Sequence, residues 1–97
     1  MEIESIYFTT ESGERPAKEF IDTLDASSQR KFFFVIGNDI FELRFRGKEG
    51  NVRVLYFFFH QSKVVLTNGF VKKTDKTPRR ELDTAIERRK VYLAGHS

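Results

Sequence analysis

From Ile40 to Val71 the sequence is built of three aromatic and β-branched segments. Only two short polar breaks separate them, Gly47-Lys48-Glu49-Gly50 and Gln61-Ser62. Gaps of that size join antiparallel neighbours, because a parallel crossover needs a dozen or more residues. Ile40–Arg46, Asn51–His60 and Lys63–Val71 therefore predict an antiparallel meander. The first turn also sets a register. A four-residue turn at Gly47–Gly50 pairs Arg46 with Asn51 and Arg44 with Arg53, and it sets Phe41, Leu43 and Phe45 across from Tyr56, Val54 and Val52. A one-residue slip would bring Arg53 opposite Phe45 and mix the two faces, so the pattern favours the first register. The other face then carries Glu42, Arg44 and Arg46 beside Arg53. If Gln61-Ser62 is a two-residue turn, Arg53 lies opposite Phe70 and Lys72 opposite Asn51, and Lys72 joins that face.

The flanks are read more coarsely. Ile3–Thr9 is a first strand, and Thr10-Glu11-Ser12-Gly13-Glu14 is a polar turn. Pro16 suits the first turn of a helix, where its missing N–H costs nothing, and Ala17, Phe20, Ile21 and Leu24 mark its apolar face. Asp25–Ser28 is a break, and Ser27 or Ser28 is positioned to cap a second helix from near Gln29. Phe32–Ile36 has five consecutive apolar residues, which fit either the end of that helix or a buried strand. Near the end, Thr77 caps a helix with Pro78 at its first position. Leu82, Ala85, Ile86 and Leu93 form its stripe, and Gly95 lies just past it. The order β-α-α-β-β-β-α is that of an α+β domain with a mainly antiparallel sheet, and 97 residues fit a single domain over 1–97.

Composition excludes several kinds of chemistry. There are no cysteines, so disulfides, thiolate metal sites and cysteine nucleophiles are out. The two histidines, His60 and His96, are far apart in sequence with no carboxylate cluster, and neither a metal nor a cofactor is expected. No apolar stretch reaches the eighteen or so residues of a membrane span. The start, Met1-Glu2-Ile3-Glu4, lacks the features of a secretory signal, and a cytoplasmic protein is the simplest expectation.

Charge is divided unevenly. Residues 1–43 hold four basic and nine acidic side chains, a net −5, whereas residues 44–97 hold thirteen and five, a net +8. Such a split points either to a polyanion-binding half or to a solvated basic face. Arg44 opposite Arg53 favours the first reading, because cations paired directly across strands repel unless an anion joins them.

The residues that carry this pattern also carry a family resemblance. Phe41-Glu42-Leu43-Arg44-Phe45-Arg46-Gly47 and Val52-Arg53-Val54-Leu55-Tyr56-Phe57 resemble the HigB-like branch of the RelE/ParE toxin superfamily. So do Asn68-Gly69-Phe70-Val71-Lys72-Lys73-Thr74-Asp75-Lys76-Thr77-Pro78 and the helix with Glu81, Ala85, Arg88 and Tyr92. The resemblance covers residues 41–93, whereas 1–36 agree in element order only. It implies a RelE-like α+β fold with N-terminal helices packed on one face of the sheet and a C-terminal helix. It also implies the toxin of a type II toxin–antitoxin pair, a ribosome-dependent mRNA endonuclease silenced by a helix-turn-helix, HigA-like antitoxin in a hetero-oligomer. The sequence departs from the family before Ile40, where relatives have a longer second helix and a lysine-bearing loop.

RNA cleavage of this kind uses the ribose 2′-OH as nucleophile on the adjacent phosphate, and it needs a base, an acid and cations facing the charge on phosphorus. Arg53 is the first candidate, from its cationic neighbours and its match to the family's arginine on this strand. Lys72 and Lys73 match the family's basic pair and are candidates for orienting the phosphate or for proton transfer. Arg44 and Arg46 are candidates for substrate binding. Arg79 and Arg80, with Arg88, Arg89 and Lys90, form either a surface for RNA or a solvated helix face. His60 is about seven residues along the strand from Arg53, over roughly 20 Å at 3.3 Å per residue, too far to share a site. Two rivals remain: a ParE-like toxin acting on DNA gyrase, and an inactive RNA- or protein-binding module.

Overall fold

In the computed structural model the described residues are 4–23, 32–37, 39–48, 50–60, 62–73 and 77–96. The elements are β1 (Glu4–Tyr7), α1 (Pro16–Asp22), β2 (Phe32–Gly37), β3 (Ile40–Gly47), β4 (Gly50–Phe59), β5 (Lys63–Lys72) and α2 (Arg79–His96). The strands form one five-stranded sheet in the order β1-β5-β4-β3-β2. β1 runs parallel to β5, and every other pair is antiparallel. The α+β class and the meander are as expected.

One element of the expected order is corrected. Phe32–Gly37 is a strand antiparallel to β3, not the end of a second helix, so the described order is β-α-β-β-β-β-α. A short run of aromatic and β-branched residues is a poor helix but a good strand once a neighbouring ladder offers partners. The reversal after it is tight, with Gly37 at φ 121°, Asp39 at φ 63° and Gly37 paired with Ile40. The start expected for the second helix, near Gln29, lies outside the described residues, and α1 is the one helix described in the N-terminal part.

The β3–β4 register is the expected one, with Arg44 opposite Arg53 and Phe41 opposite Tyr56. The β4–β5 register reaches the expected pairs by a different route. Phe59 pairs with Lys63, so the turn is one residue longer than two, and His60 opens it in the left-handed region at φ 56°. A bulge then leaves Thr67 unmatched between the pairs Tyr56–Leu66 and Leu55–Asn68. Beyond it, Arg53 faces Phe70 and Asn51 faces Lys72. Without the extra residue Arg53 would face Gly69, and Lys72 would project from the other side of the sheet.

The bulge also anchors α2. The Thr67 carbonyl accepts a hydrogen bond from Arg88 Nη1 at 2.8 Å, and Asn68 Nδ2 donates to the Glu81 carbonyl and carboxylate at 3.2 and 3.0 Å. Burial lowers the Arg88 pKa, and the Glu81 charge opposes that shift. Beneath α2 lies a core of Ile40, Leu55, Phe57, Val65, Phe70 and Ala85. The helix begins with bonds from Glu81 and Leu82 to the Pro78 carbonyl, and it continues through Gly95. Thr77 is therefore not its cap, and Gly95 lies in its last turn. None of the helices among the described residues is long and apolar enough to cross a membrane.

The opposite face carries α1 over Val52, Val54, Tyr56 and Leu66. Burial there pushes the Tyr56 phenol up to about 12. α1 lies close to β5 because residue 69 is glycine: a Cβ there would sit 2.4 Å from Phe20 Cδ2 and 3.2 Å from its Cγ. Gly69→Ala is expected to destabilise the fold by about 1–3 kcal/mol, as overpacking does. Urea unfolding checks this, and most of the penalty should vanish in a Phe20→Ala background.

Candidate functional site

The registers stack three rungs of side chains on the α2 side of the sheet. Arg46, Asn51 and Lys72 form one, Arg44, Arg53 and Phe70 the next, and Glu42, Leu55 and Asn68 the third. Residues two apart in a strand share a face, so Glu42 lies beside Arg44 on its own strand and diagonally across from Arg53. Its carboxylate is fully buried.

Glu42 gathers the cations. Oε2 receives Arg44 Nε at 2.5 Å and lies 3.3 Å from Arg53 Nε, while Oε1 accepts from the Thr77 hydroxyl at 2.6 Å. Burial pushes the carboxyl up. Hydrogen bonds from Thr77 and Arg44, together with the charges of Arg44 and Lys72, outweigh that, and its pKa lies below the ordinary 4.5. Lys72 is itself buried, an unusual place for a lysine unless it has a counter-charge.

Arg53 is held firmly. Its side chain is 11% exposed, Nη1 donates to the Val52 carbonyl at 3.0 Å, and Nε makes the ion pair with Glu42 without hydrogen-bond alignment. Burial lowers its pKa, the Glu42 charge raises it and Arg44 lowers it, but a guanidinium stays protonated throughout. The result is three cations around one carboxylate, in position to meet an anion.

Of the seven candidates, the structure brings Arg44, Arg53 and Lys72 together. Arg46 is exposed at the far end of the same face, opposite Asn51. Lys73 follows β5 and is exposed, so the tandem lysines differ in environment. Arg79 is exposed and pairs with Asp83 at 2.9 Å, and Arg80 is exposed beside it. Two contributors escaped the sequence reading. In the sequence Glu42 shares the face of the arginines with no role of its own but is the buried centre, and Thr77 reads as a helix cap but serves Glu42. The available signal was that Glu42 is the one carboxylate on the β3 face that also carries Arg44 and Arg46.

The histidines lie elsewhere. His60 packs on Phe59 with ring centroids 4.1 Å apart, and His96 stacks on Tyr92 at 3.9 Å, both at the end of β4 remote from Arg53. Among the described residues there is no group of three or more His, Cys, Asp or Glu able to hold a metal ion.

With this geometry in place, comparison with known proteins gives the class. The chain belongs to the family described as "Phage derived protein Gp49-like (DUF891)", which matches residues 17–90. The chain is also 40% identical over 57 residues to proteins named "Probable endoribonuclease HigB1" from two strains of Mycobacterium tuberculosis, CDC 1551 / Oshkosh and ATCC 25618 / H37Rv. The matched stretch is 59% of this chain and 45% of each relative, so the chain spans less than half the length of these curated relatives. The match supports the HigB-like resemblance.

Proposed function

We propose that this chain is a HigB-like toxin of a type II toxin–antitoxin pair and cleaves mRNA on the ribosome, in the cytoplasm. One observation carries the reading: Arg44, Arg53 and Lys72 converge on a single patch of the sheet around one buried carboxylate. The relatives' name, endoribonuclease, supports the reaction class.

In the proposed reaction the ribose 2′-oxygen attacks the adjacent phosphorus and loses its proton to a base. The bond to the 5′-oxygen breaks, and that oxygen takes a proton from an acid. A 2′,3′-cyclic phosphate and a 5′-hydroxyl result. Negative charge grows on the phosphate oxygens along the way. Arg53 faces it with a planar fork that an ammonium cannot imitate. Lys72 orients the phosphate from the adjacent strand, and Arg44 adds a second guanidinium. Lys73 is the candidate for proton transfer in solvent reach, whereas Arg46, Arg79 and Arg80 hold the flanking RNA. A helix-turn-helix antitoxin of the HigA type is the proposed silencing partner.

The test adds purified protein to translating ribosomes and maps mRNA ends by primer extension, with a gyrase supercoiling assay alongside. New ends at A-site codons are expected. Inhibited supercoiling with intact mRNA would move the assignment to a ParE-like toxin, and neither effect would favour a binding module.

A further inference from the structure

We infer that Glu42 is a positioning residue: lying beneath the cationic site, it fixes the guanidinium of Arg53 for a phosphate and ties the lead-in to α2 to the same point through Thr77. The inference rests on the reading of this site as one that acts on RNA.

The atoms assign the role. Glu42 is fully buried, and both of its oxygens are taken, Oε1 by Thr77 and Oε2 by Arg44 and Arg53. A carboxylate so placed cannot reach a ribose hydroxyl, so it is not the base of the reaction. Stability alone does not explain it either. A buried ion pair gains little over a well-packed apolar side chain, and the rung it occupies continues into Leu55. What an apolar residue could not do is hold two arginines that face each other directly. Without a carboxylate, Arg44 and Arg53 would repel and turn apart towards solvent. With it, Arg53 has Nε on Glu42 and Nη1 on Val52 O, and among the described residues Nη2 remains for a ligand. The groups facing Glu42 are Arg44 from β3, Arg53 from β4, Lys72 from β5 and Thr77 from the lead-in to α2. Three strands and a helix thus share one anchoring point.

Thr77→Val tests this gently, because it removes one hydrogen bond and keeps the volume. A positioning role predicts that kcat for ribosomal mRNA cleavage falls about tenfold, as small misplacements of reacting groups do, while KM changes less than about twofold. The acid limb of the kcat–pH profile should move to higher pH, because the lost hydrogen bond had favoured the ionised carboxyl. Thr77→Ser should restore both. Loss of stability alone would produce neither change. Cleavage by Thr77→Val that matches the natural chain at every pH would overturn the inference.

A second readout separates this from the proposed function. By NMR, the Arg53 Nη1–H that bonds the Val52 carbonyl should exchange slowly with water at neutral pH and lose that protection as Glu42 gains a proton and releases the guanidinium, and Glu42→Gln should abolish it. If the natural chain cleaves no RNA yet the protection behaves so, the functional reading falls and the positioning stands. If Glu42→Gln leaves the protection unchanged, the positioning falls whatever the activity.

Discussion

Glu42→Gln is expected to lower the stability of the fold by about 3 kcal/mol at neutral pH. That is the lower end of the range for breaking a buried ion pair by removing one partner, because the Arg44 side chain is 34% exposed and water screens part of its loss. The amide keeps the shape of the carboxylate, so the cost is electrical, not steric: Arg44, Arg53 and Lys72 remain gathered with no counter-charge between them. The pH dependence follows from linkage. The folded-state pKa of Glu42 is depressed below its ordinary 4.5, so its contribution is fully present above that value and is lost as pH falls through the folded pKa. The gap between natural chain and variant should therefore be widest at neutral pH and close on acidification. Urea titrations at a series of pH values check it. A gap that stays constant down to the most acid pH at which both fold would mean that Glu42 carries no charge worth holding.

How legible was this arrangement in the sequence? The β3–β4 pairing was, because alternation and the turn at Gly47–Gly50 agree, and each constrains the other. The meeting of Arg53 with Lys72 was legible only in outcome. A turn longer than expected shifted the register one way and the bulge at Thr67 shifted it back. Nothing local marks that compensation, since its cause is tertiary: the bulged segment presents Thr67 O and Asn68 to α2. The strand β2 was ambiguous because a short apolar run has no period, and only the open edge of β3 decides it. Glu42 shows a further limit. Alternation tells which face a side chain takes, but not whether a later segment returns to cover it. Thr77-Pro78 reads as a helix start, and its hydroxyl goes instead to a strand far away in sequence. The site was therefore visible as a set of cations and invisible as a structure.

Under the proposed function, Arg53→Ala should reduce mRNA cleavage on the ribosome about 10²–10³-fold in kcat, the usual loss when one preorganised donor facing developing charge is removed. The fold should suffer less than in Glu42→Gln, because Glu42 keeps Arg44, Thr77 and Lys72 as partners. This ordering is the informative part: Glu42→Gln is the more damaging to stability, and Arg53→Ala the more damaging to chemistry for its stability cost. Arg53→Lys should recover little, since one ammonium cannot reach Glu42, the Val52 carbonyl and a phosphate oxygen together as the guanidinium fork does. Growth arrest on expression, and primer extension with purified folded proteins, measure the effect in cells and in isolation. Undiminished cuts from Arg53→Ala would clear Arg53 of the role and pass it to Lys72 and Lys73. Cuts lost in Arg53→Ala but kept in Arg53→Lys would show that positive charge alone suffices, and the geometry imposed by Glu42 would then matter for folding, not for catalysis.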